Sequence, residues 1–219
     1  RTLRRLNARS LPTGRYPVLF DTTVASGIIG HVVGGLSGAA LYRQNSFLLD
    51  SLGKQILPDF LSLREEPHIP RAWGSSWFDA EGVATVPRFV IENGVVQGYF
   101  LSSYSARKLG MQTTGNAGGS HNLSFHSQRT QPGDTLDAML RKLGTGLFVT
   151  ELMGHGINYV TGDYSRGASG FWVENGEIAF PVQEITIAGN LKTMLKGIES
   201  IGADFYTTGA KSTGSILIN

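Results

Sequence analysis

Residues 171–182 read Phe-Trp-Val-Glu-Asn-Gly-Glu-Ile-Ala-Phe-Pro-Val and predict a β-hairpin. Apolar, aromatic and β-branched residues flank the Asn-Gly pair, which supplies the two positive φ angles that a two-residue hairpin turn requires. Residues 88–100 repeat the pattern around a second Asn-Gly pair. Because these hairpins stand among helical segments without a repeating β-α-β order, the sequence predicts an α+β fold, a predominantly antiparallel β-sheet with interspersed helices.

Short elements separated by glycine turns are predicted for the rest of the chain. Apolar spacing predicts helices at residues 22–42, at 103–109 ending at Gly110, after Asp134 as N-cap, and at 191–201. Strands are predicted at residues 16–20, 147–150, 157–161 and 215–218. The stretch 57–79, rich in proline and tryptophan, is expected to be an irregular connection that covers a surface or contacts a partner.

Composition narrows the functional classes. The 219 residues are 41% hydrophobic, enough for a real core, and contain no cysteine, which excludes disulfides and thiolate metal ligands. The most apolar stretch, 18–49, is interrupted by charged and small residues, so a membrane partner is not expected and a cytoplasmic location is the default. The opening Arg1-Thr-Leu-Arg-Arg-Leu resembles the end of a helix, and we expect a fragment of a longer protein.

Nucleic acid is a minor alternative as a partner. The net charge is only +2, but five arginines precede the first acidic residue, Asp21, and such a basic arm can contact phosphate. No interleaved aromatic residues or nucleic-acid motif accompany the arginines. A solvated helix face or linker is therefore the favoured interpretation.

The histidines give one weak candidate for a metal pair. Glu151 and His155 stand four residues apart, but the flanking glycines and β-branched residues favour strand and turn over the helix that would align them. A self-sufficient metal site would also need a distant His121 or His126, and these two would point to opposite faces of a strand. The sequence contains neither a Gly-x-Ser-x-Gly motif nor the Walker A spacing.

Five motifs together resemble the C-terminal domain of the TldD/PmbA family, and the resemblance covers essentially all of residues 1–219. They are Pro-Val-Leu-Phe-Asp at 17–21, Gly-His-Val-Val-Gly-Gly-Leu-Ser-Gly at 30–38, Phe-Val-Thr-Glu-Leu-Met-Gly-His-Gly at 148–156, the long run 160–178, and Ala-Gly-Asn-Leu at 188–191. The run is similar to the PmbA (TldE) branch. The resemblance implies an intracellular zinc metalloprotease family linked to microcin maturation, antitoxin degradation and modulation of DNA gyrase, and a family N-terminal domain absent from this chain.

The resemblance also implies that this chain lacks the family's metal site. In the TldD branch, a His-Glu-x-x-x-His helix and a later cysteine hold zinc, and the glutamate acts as general base. Aligned on Gly-Leu-Ser-Gly at 35–38, the two histidine positions fall on Ile29 and Gly34, and the glutamate position falls on Gly30. We therefore expect no cofactor in this chain, zinc in a TldD-like partner subunit, and peptide substrates enclosed between the two. A non-enzymatic protein that modulates DNA gyrase and a self-sufficient metallopeptidase remain alternatives.

Residues 161–171 are the predicted peptide-binding segment, in which Gly167 and Gly170 would let a peptide backbone approach an open sheet edge. Asp163 and Arg166 would orient the charges of the peptide. The competing interpretation is a tight structural turn in which Asp163 and Arg166 pair with each other. Apolar residues in the irregular stretch, Trp73, Trp77 and Phe78, predict in addition a large association surface and hence a dimer.

Overall fold

The computed structural model describes residues 2–219, which form two six-stranded sheets and five α-helices. A 3₁₀ helix covers Thr2–Arg5, and the α-helices are α1 (Thr22–Gly35), α2 (Gly38–Tyr42), α3 (Ser103–Leu109), α4 (Leu136–Leu143) and α5 (Leu191–Lys196). The strands are β1 (Val18–Phe20), β2 (Leu61–Glu66), β3 (Arg88–Glu92), β4 (Val95–Val96), β5 (Asn122–Ser127), β6 (Gly146–Ile157), β7 (Asp163–Glu174), β8 (Glu177–Asn190), β9 (Ile198–Ile201), β10 (Tyr206–Thr208), β11 (Lys211–Thr213) and β12 (Ile216–Ile218). None of the helices in this part of the chain has the length and hydropathy to span a bilayer.

Both sheets are mixed but mainly antiparallel. The first has the order β8-β7-β6-β1-β12-β9, with β1 parallel to β6, and the second has the order β10-β11-β5-β2-β3-β4, with β11 parallel to β5. The other pairs are antiparallel, including the long ribbon formed by β6, β7 and β8. The predicted α+β fold is confirmed.

Helix α1 lies between the two sheets and forms the centre of the core. Its buried Ile29 and Val32 pack with Phe125 of the second sheet, while His31 faces Tyr164 of β7 in the first. The helix begins after Asp21, whose carboxylate accepts a hydrogen bond from the Thr23 backbone N–H at 3.0 Å. The core therefore holds one face of α1 against the β6-β7-β8 ribbon.

Helix α4 covers the opposite face of the first sheet. Successive residues of β1 point to opposite faces, so Phe20 joins the central core and Leu19 packs under α4. Met139 and Leu143 of α4 complete this smaller cluster.

The turns and the helix end that depend on local residues form as predicted from the sequence. Asn93 and Gly94 have φ angles of 48° and 79°, and Asn175 and Gly176 have 52° and 81°, as the two-residue turns require. Helix α3 spans the predicted residues and ends at Gly110 in the left-handed conformation.

Three predicted elements were wrong because sheet pairing overrides the local pattern. The stretch 57–79 contains β2, which pairs with β3 and β5 in the middle of the second sheet. The predicted strand 157–161 does not form: the predicted strand 147–150 lies within β6, which continues to Ile157, and the chain turns directly after it. Residues 198–201 form β9 against β12 instead of continuing helix α5.

Two helix boundaries also differ from the prediction. The segment 22–42 is divided into α1 and α2 at Leu36 and Ser37. The N-cap of α4 is Thr135, whose side chain accepts from Ala138 N–H, whereas Asp134 accepts from Gln131 N–H and from Lys142 Nζ.

Candidate functional site

One face of α1 consists largely of glycine backbone. Gly27, Gly30 and Gly34 follow one another at spacings of three and four residues, which places them on the same side of the helix. A Cβ atom on Gly27 would meet nothing within 4 Å, and on Gly30 it would meet only Lys211 Cε at 4.0 Å. At Gly34 a Cβ would lie 2.7 Å from Cε1 of Tyr159, so that ring occupies the space of a side chain. The face is thus open at one end and covered by Tyr159 at the other.

His31 is the one large side chain in the middle of this face, and it is 8% exposed. Its Nδ1 lies 3.1 Å from the Tyr159 hydroxyl oxygen, and its ring meets those of Tyr159 and Tyr164 edge to face. Burial, and next the positive charge of Arg166, lower the pKa of His31 to about 4. His31 is therefore a neutral imidazole at neutral pH.

Strand β7 brings Tyr164 and Arg166 to the same place. Tyr164 is 1% exposed, and its enclosed hydroxyl lies beside the guanidinium of Arg166. Burial raises the pKa of Tyr164, while the charge of Arg166 and a hydrogen bond from its side chain act in the opposite direction. The Arg166 Nε is also enclosed and lacks a partner, and no carboxylate of residues 2–219 lies within 4 Å of this guanidinium. Arg166 is a half-buried charge without a counter-charge.

The predicted peptide-binding residues lie on a strand that is paired along both sides. Strand β7 pairs with β6 and with β8, so the open edge predicted for residues 161–171 was wrong, and the free edge of this sheet belongs to β8. Asp163 binds the Thr161 hydroxyl at 2.6 Å and Asn190 Nδ2 at 3.1 Å, and it does not pair with Arg166. The competing interpretation of a tight turn closed by that pair was therefore wrong too.

The two glycines of the predicted segment have different surroundings. A Cβ on Gly167 would make ordinary contacts with Met153, the nearest at 3.5 Å. A Cβ on Gly170 would overlap the Phe148 carbonyl oxygen and lie 3.0 Å from Val149 Cα. The structure thus explains Gly170 by strand packing, whereas packing alone does not require Gly167.

The weak metal pair lies on a strand. Glu151 and His155 belong to β6, with Gly154 at a φ of 75° between them. Glu151 accepts hydrogen bonds from Arg5 at 2.6 Å and from Ser169 at 3.1 Å, and these bonds lower the pKa of its carboxyl group.

The histidines proposed as a third ligand belong to the other sheet. His121, next to β5, contacts the buried Glu65, and His126 lies on β5 itself. In the described part of the chain, no three His, Cys, Asp or Glu side chains are grouped to hold a metal ion.

The comparison with known families identifies the chain. A model of the PmbA/TldA metallopeptidase C-terminal domain matches residues 13–219. This chain belongs to that family. Metalloprotease PmbA of Escherichia coli O157:H7, a member of the PmbA/TldA family, is 53% identical over 218 residues, which are 100% of this chain and 48% of the relative.

Solved structures agree with this assignment. A Bacteroides thetaiotaomicron protein, described as a proposed modulator of DNA gyrase, is 33% identical with a TM-score of 0.91, covering 99% of this chain and 48% of that one. TldE from Thermococcus kodakarensis has a TM-score of 0.84, 99% and 52% coverage and 22% identity, and it shows the fold alone. The chain spans about half the length of the curated PmbA/TldA relatives it matches.

The zinc ion implied by the metallopeptidase name does not fit the residues at the aligned helix positions. Ile29 is an aliphatic side chain, 2% exposed in the core, and Gly30 offers no ligand atom. The space beside Gly34 is filled by the ring of Tyr159. No catalytic step through a metal can therefore be assigned to α1 of this PmbA/TldA member.

Sequence reasoning found Arg166 but missed the cluster around it. His31, Tyr159 and Tyr164 carry no common motif, and His31 and Tyr159 are 128 residues apart in the chain. The only local signal was the glycine face of α1, which marks a position that another group approaches closely.

Stability should depend on pH through His31. Its pKa of about 4 in the folded protein lies below the value near 6.5 of an unfolded chain, so the unfolded state binds more protons between these values. The neutral imidazole contributes fully to the free energy of unfolding above about pH 6.5. This contribution is lost as the pH falls to about 4, which lowers the free energy of unfolding by up to about 3 kcal/mol. Urea unfolding of the wild type at pH 7, 5.5 and 4.5 should show this decrease in the free energy of unfolding. In His31→Phe the decrease over the same pH range should be smaller.

Two other histidines serve as internal comparisons. The pKa of His126 is also lowered, by burial and by the charge of Arg64. His126 therefore adds its own pH dependence to the stability, and this part remains in His31→Phe. His155→Gln, at an exposed position of β6, is the control variant. An unchanged pH dependence in His31→Phe would contradict the assignment.

Proposed function

We propose that this chain is the non-metal subunit of a TldD/TldE-like, zinc-dependent complex that processes or degrades peptides in the cytoplasm. The observation that carries the proposal is the replacement of the family's metal helix by Ile29, Gly30 and Gly34, the last covered by Tyr159. A subunit of this kind needs a TldD-like partner that supplies the zinc and closes over the peptide. Microcin maturation and antitoxin degradation are the processes that the family resemblance suggests.

Peptide binding is supported by the free edge of β8. Arg9 already bridges this edge in a parallel orientation, donating its N–H to the Pro181 carbonyl at 3.0 Å and accepting from Gln183 N–H at 3.2 Å. Beyond this bridge, residues 11–16 and 184–188 diverge around a groove of about 480 Å³. Main-chain pairing along such an edge holds an extended peptide of any sequence, which suits a degrading enzyme. Of the predicted residues, Arg166 remains the group proposed to meet a charge of the peptide.

A protein that modulates DNA gyrase without catalysis is the second candidate. The description of the Bacteroides thetaiotaomicron relative favours it, as do the exposed side chains of Trp73, Trp77 and Phe78, which lie close in the chain and are called the aromatic patch below. A binding protein of this class would need the patch and not the α1 face.

Metal analysis and reconstitution test the leading proposal. After dialysis, elemental analysis of the full chain should give well below one zinc per chain, because α1 provides no ligand. Mixed with a metal-bearing TldD-like subunit, the chain should raise peptide cleavage above that of either subunit alone. One tightly bound zinc that is lost in Glu151→Gln and His155→Ala would instead support the self-sufficient metallopeptidase. If the TldD-like subunit cleaves peptides at the same rate with and without this chain, the result would favour the gyrase-binding alternative.

The aromatic patch predicts association of the isolated chain. Trp73 is 89% exposed, Trp77 73% and Phe78 62%, and a monomer rarely leaves three large aromatic side chains of one short segment in water. Light scattering at micromolar concentration should give about twice the 23.6 kDa of one chain. Trp73→Ser with Trp77→Ser should give monomers, whereas Tyr206→Ser, at an exposed site on β10, should not. A monomeric wild type would disprove the association.

A further inference from the structure

Arg166 is positioned as a receptor for an anion. A guanidinium carries five N–H donors and no acceptor, and a half-buried charge is unfavourable unless a counter-charge meets it. In residues 2–219 no carboxylate lies within 4 Å of Arg166, and its enclosed Nε has no partner. Apart from water at the exposed part of the side chain, an external anion is the remaining partner for this charge.

The acidic residues on the neighbouring strands are held by other groups. Glu151 of β6 binds Arg5 and Ser169, and Asp163 of β7 binds Thr161 and Asn190. Glu184 of β8 is exposed and lies beyond ion-pair distance from Arg166. The side chain that Arg166 faces on α1 is His31, which is neutral above about pH 4 and supplies no negative charge.

Two further features favour a carboxylate that arrives on a peptide. The Tyr164 hydroxyl oxygen accepts from the Arg166 side chain, which leaves its own O–H as a donor beside the guanidinium. Arg166 itself can meet a carboxylate with two parallel hydrogen bonds. The glycine face of α1 leaves open backbone at Gly27 and Gly30, where another chain can approach closely.

We propose that Arg166, with the Tyr164 hydroxyl beside it, binds a carboxylate group of a peptide against the glycine face of α1. This rests on the proposed function only in naming a peptide as the source of the carboxylate. The group is either the C-terminal carboxylate or an Asp or Glu side chain, which offer the same chemistry to the guanidinium.

Three peptides of one sequence separate these sources when their binding to the full chain is measured by calorimetry. The first is acetyl-Ala-Leu-Gly-Ala-Leu with a free C-terminus, the second is its C-terminal amide, and the third is the amide with glutamate in place of the last leucine. Charge-assisted hydrogen bonds of this kind correspond to about tenfold tighter binding or more. We expect the first peptide, the third, or both to bind at least about tenfold more tightly than the second peptide, the neutral amide.

Variants of the chain identify the receptor. Arg166→Gln should reduce the preference to less than about twofold, Arg166→Lys should keep part of it, and Tyr164→Phe should be intermediate. Arg129→Gln, at an exposed arginine in the turn after β5, should keep all of it. Because the charge of Arg166 is uncompensated, Arg166→Gln should also unfold at the same urea concentration as the wild type or a higher one.

Several results would overturn the proposal. These are equal affinity of the wild type for acid and amide, no binding of any of the three peptides, and a preference that survives in Arg166→Gln. Competition by inorganic phosphate as strong as that by the peptide would indicate a general anion site only and would overturn it as well. If the reconstituted pair cleaves peptides with and without a carboxylate equally, the carboxylate site fails while the proposed function stands. If this chain does not affect cleavage, the proposed function fails independently of the binding result.

Discussion

Replacing Glu65 with glutamine should lower the free energy of unfolding by about 3–5 kcal/mol, the cost of breaking a buried ion pair while its partner stays in place. Glu65 lies on β2 and is 1% exposed. Its Oε2 accepts from Arg88 Nε at 2.8 Å, and its Oε1 accepts from Asn116 Nδ2 and from the His121 backbone N–H, each at 2.8 Å. Glutamine has the same size but would turn an N–H group towards one of these donors.

A matched control lies next to it on the same strand. Glu66, with a side chain 27% exposed, pairs with Arg64 at the surface, and Glu66→Gln should cost less than about 1 kcal/mol. Urea unfolding of both variants at pH 7 gives the comparison. Adding Arg88→Met to Glu65→Gln should recover part of the loss, because the unpaired guanidinium is then removed. Equal unfolding midpoints for the Glu65 and Glu66 variants would contradict the prediction.

The network also shows what the sequence could not predict. Glu65, Arg88 and Asn116 belong to three separate segments, and the pattern around Glu65 suggested an irregular connection. The strand exists because β3 and β5 pair with it on both sides. Such non-local pairing leaves little trace within one segment.

The predicted elements succeeded where the local chemistry is sufficient. Asn-Gly pairs at 93–94 and 175–176 determine their turns, and Gly110 stops α3, because these residues adopt positive φ angles at low cost. Residues 198–201 followed a helical pattern from Leu191 onward. They form β9 because β12 offers a partner strand, and helix α5 ends at Lys196.

Part of the candidate site was predicted from the sequence, namely the α1 positions and Arg166. The family resemblance located Ile29, Gly30 and Gly34, which explain why zinc does not fit, and glycine content drew attention to the segment of Arg166. The conclusion that β7 has an open edge failed, because glycines serve a central strand as well as an edge when neighbouring strands bulge. Register shifts on both sides of β7 near Gly170 provide this reason.

Gly167 and Gly170 should therefore respond very differently to the same substitution. Gly170→Ala should destabilise the protein by about 3–5 kcal/mol, because the new Cβ overlaps the Phe148 carbonyl and the ribbon must separate to admit it. Gly167→Ala should change stability by no more than about 0.5 kcal/mol, since its Cβ makes only ordinary contacts with Met153. Thermal and urea unfolding measure both.

The pair also separates scaffold from binding surface on β7. Equal stability losses would contradict the packing account of Gly170. If Gly167→Ala keeps wild-type stability but weakens peptide cleavage in the reconstituted complex, the backbone at Gly167 must be approached by the peptide, since folding does not require a glycine there. If cleavage is unchanged, β7 contributes only the Arg166 side chain, and an extended peptide has to be held at the edge of β8.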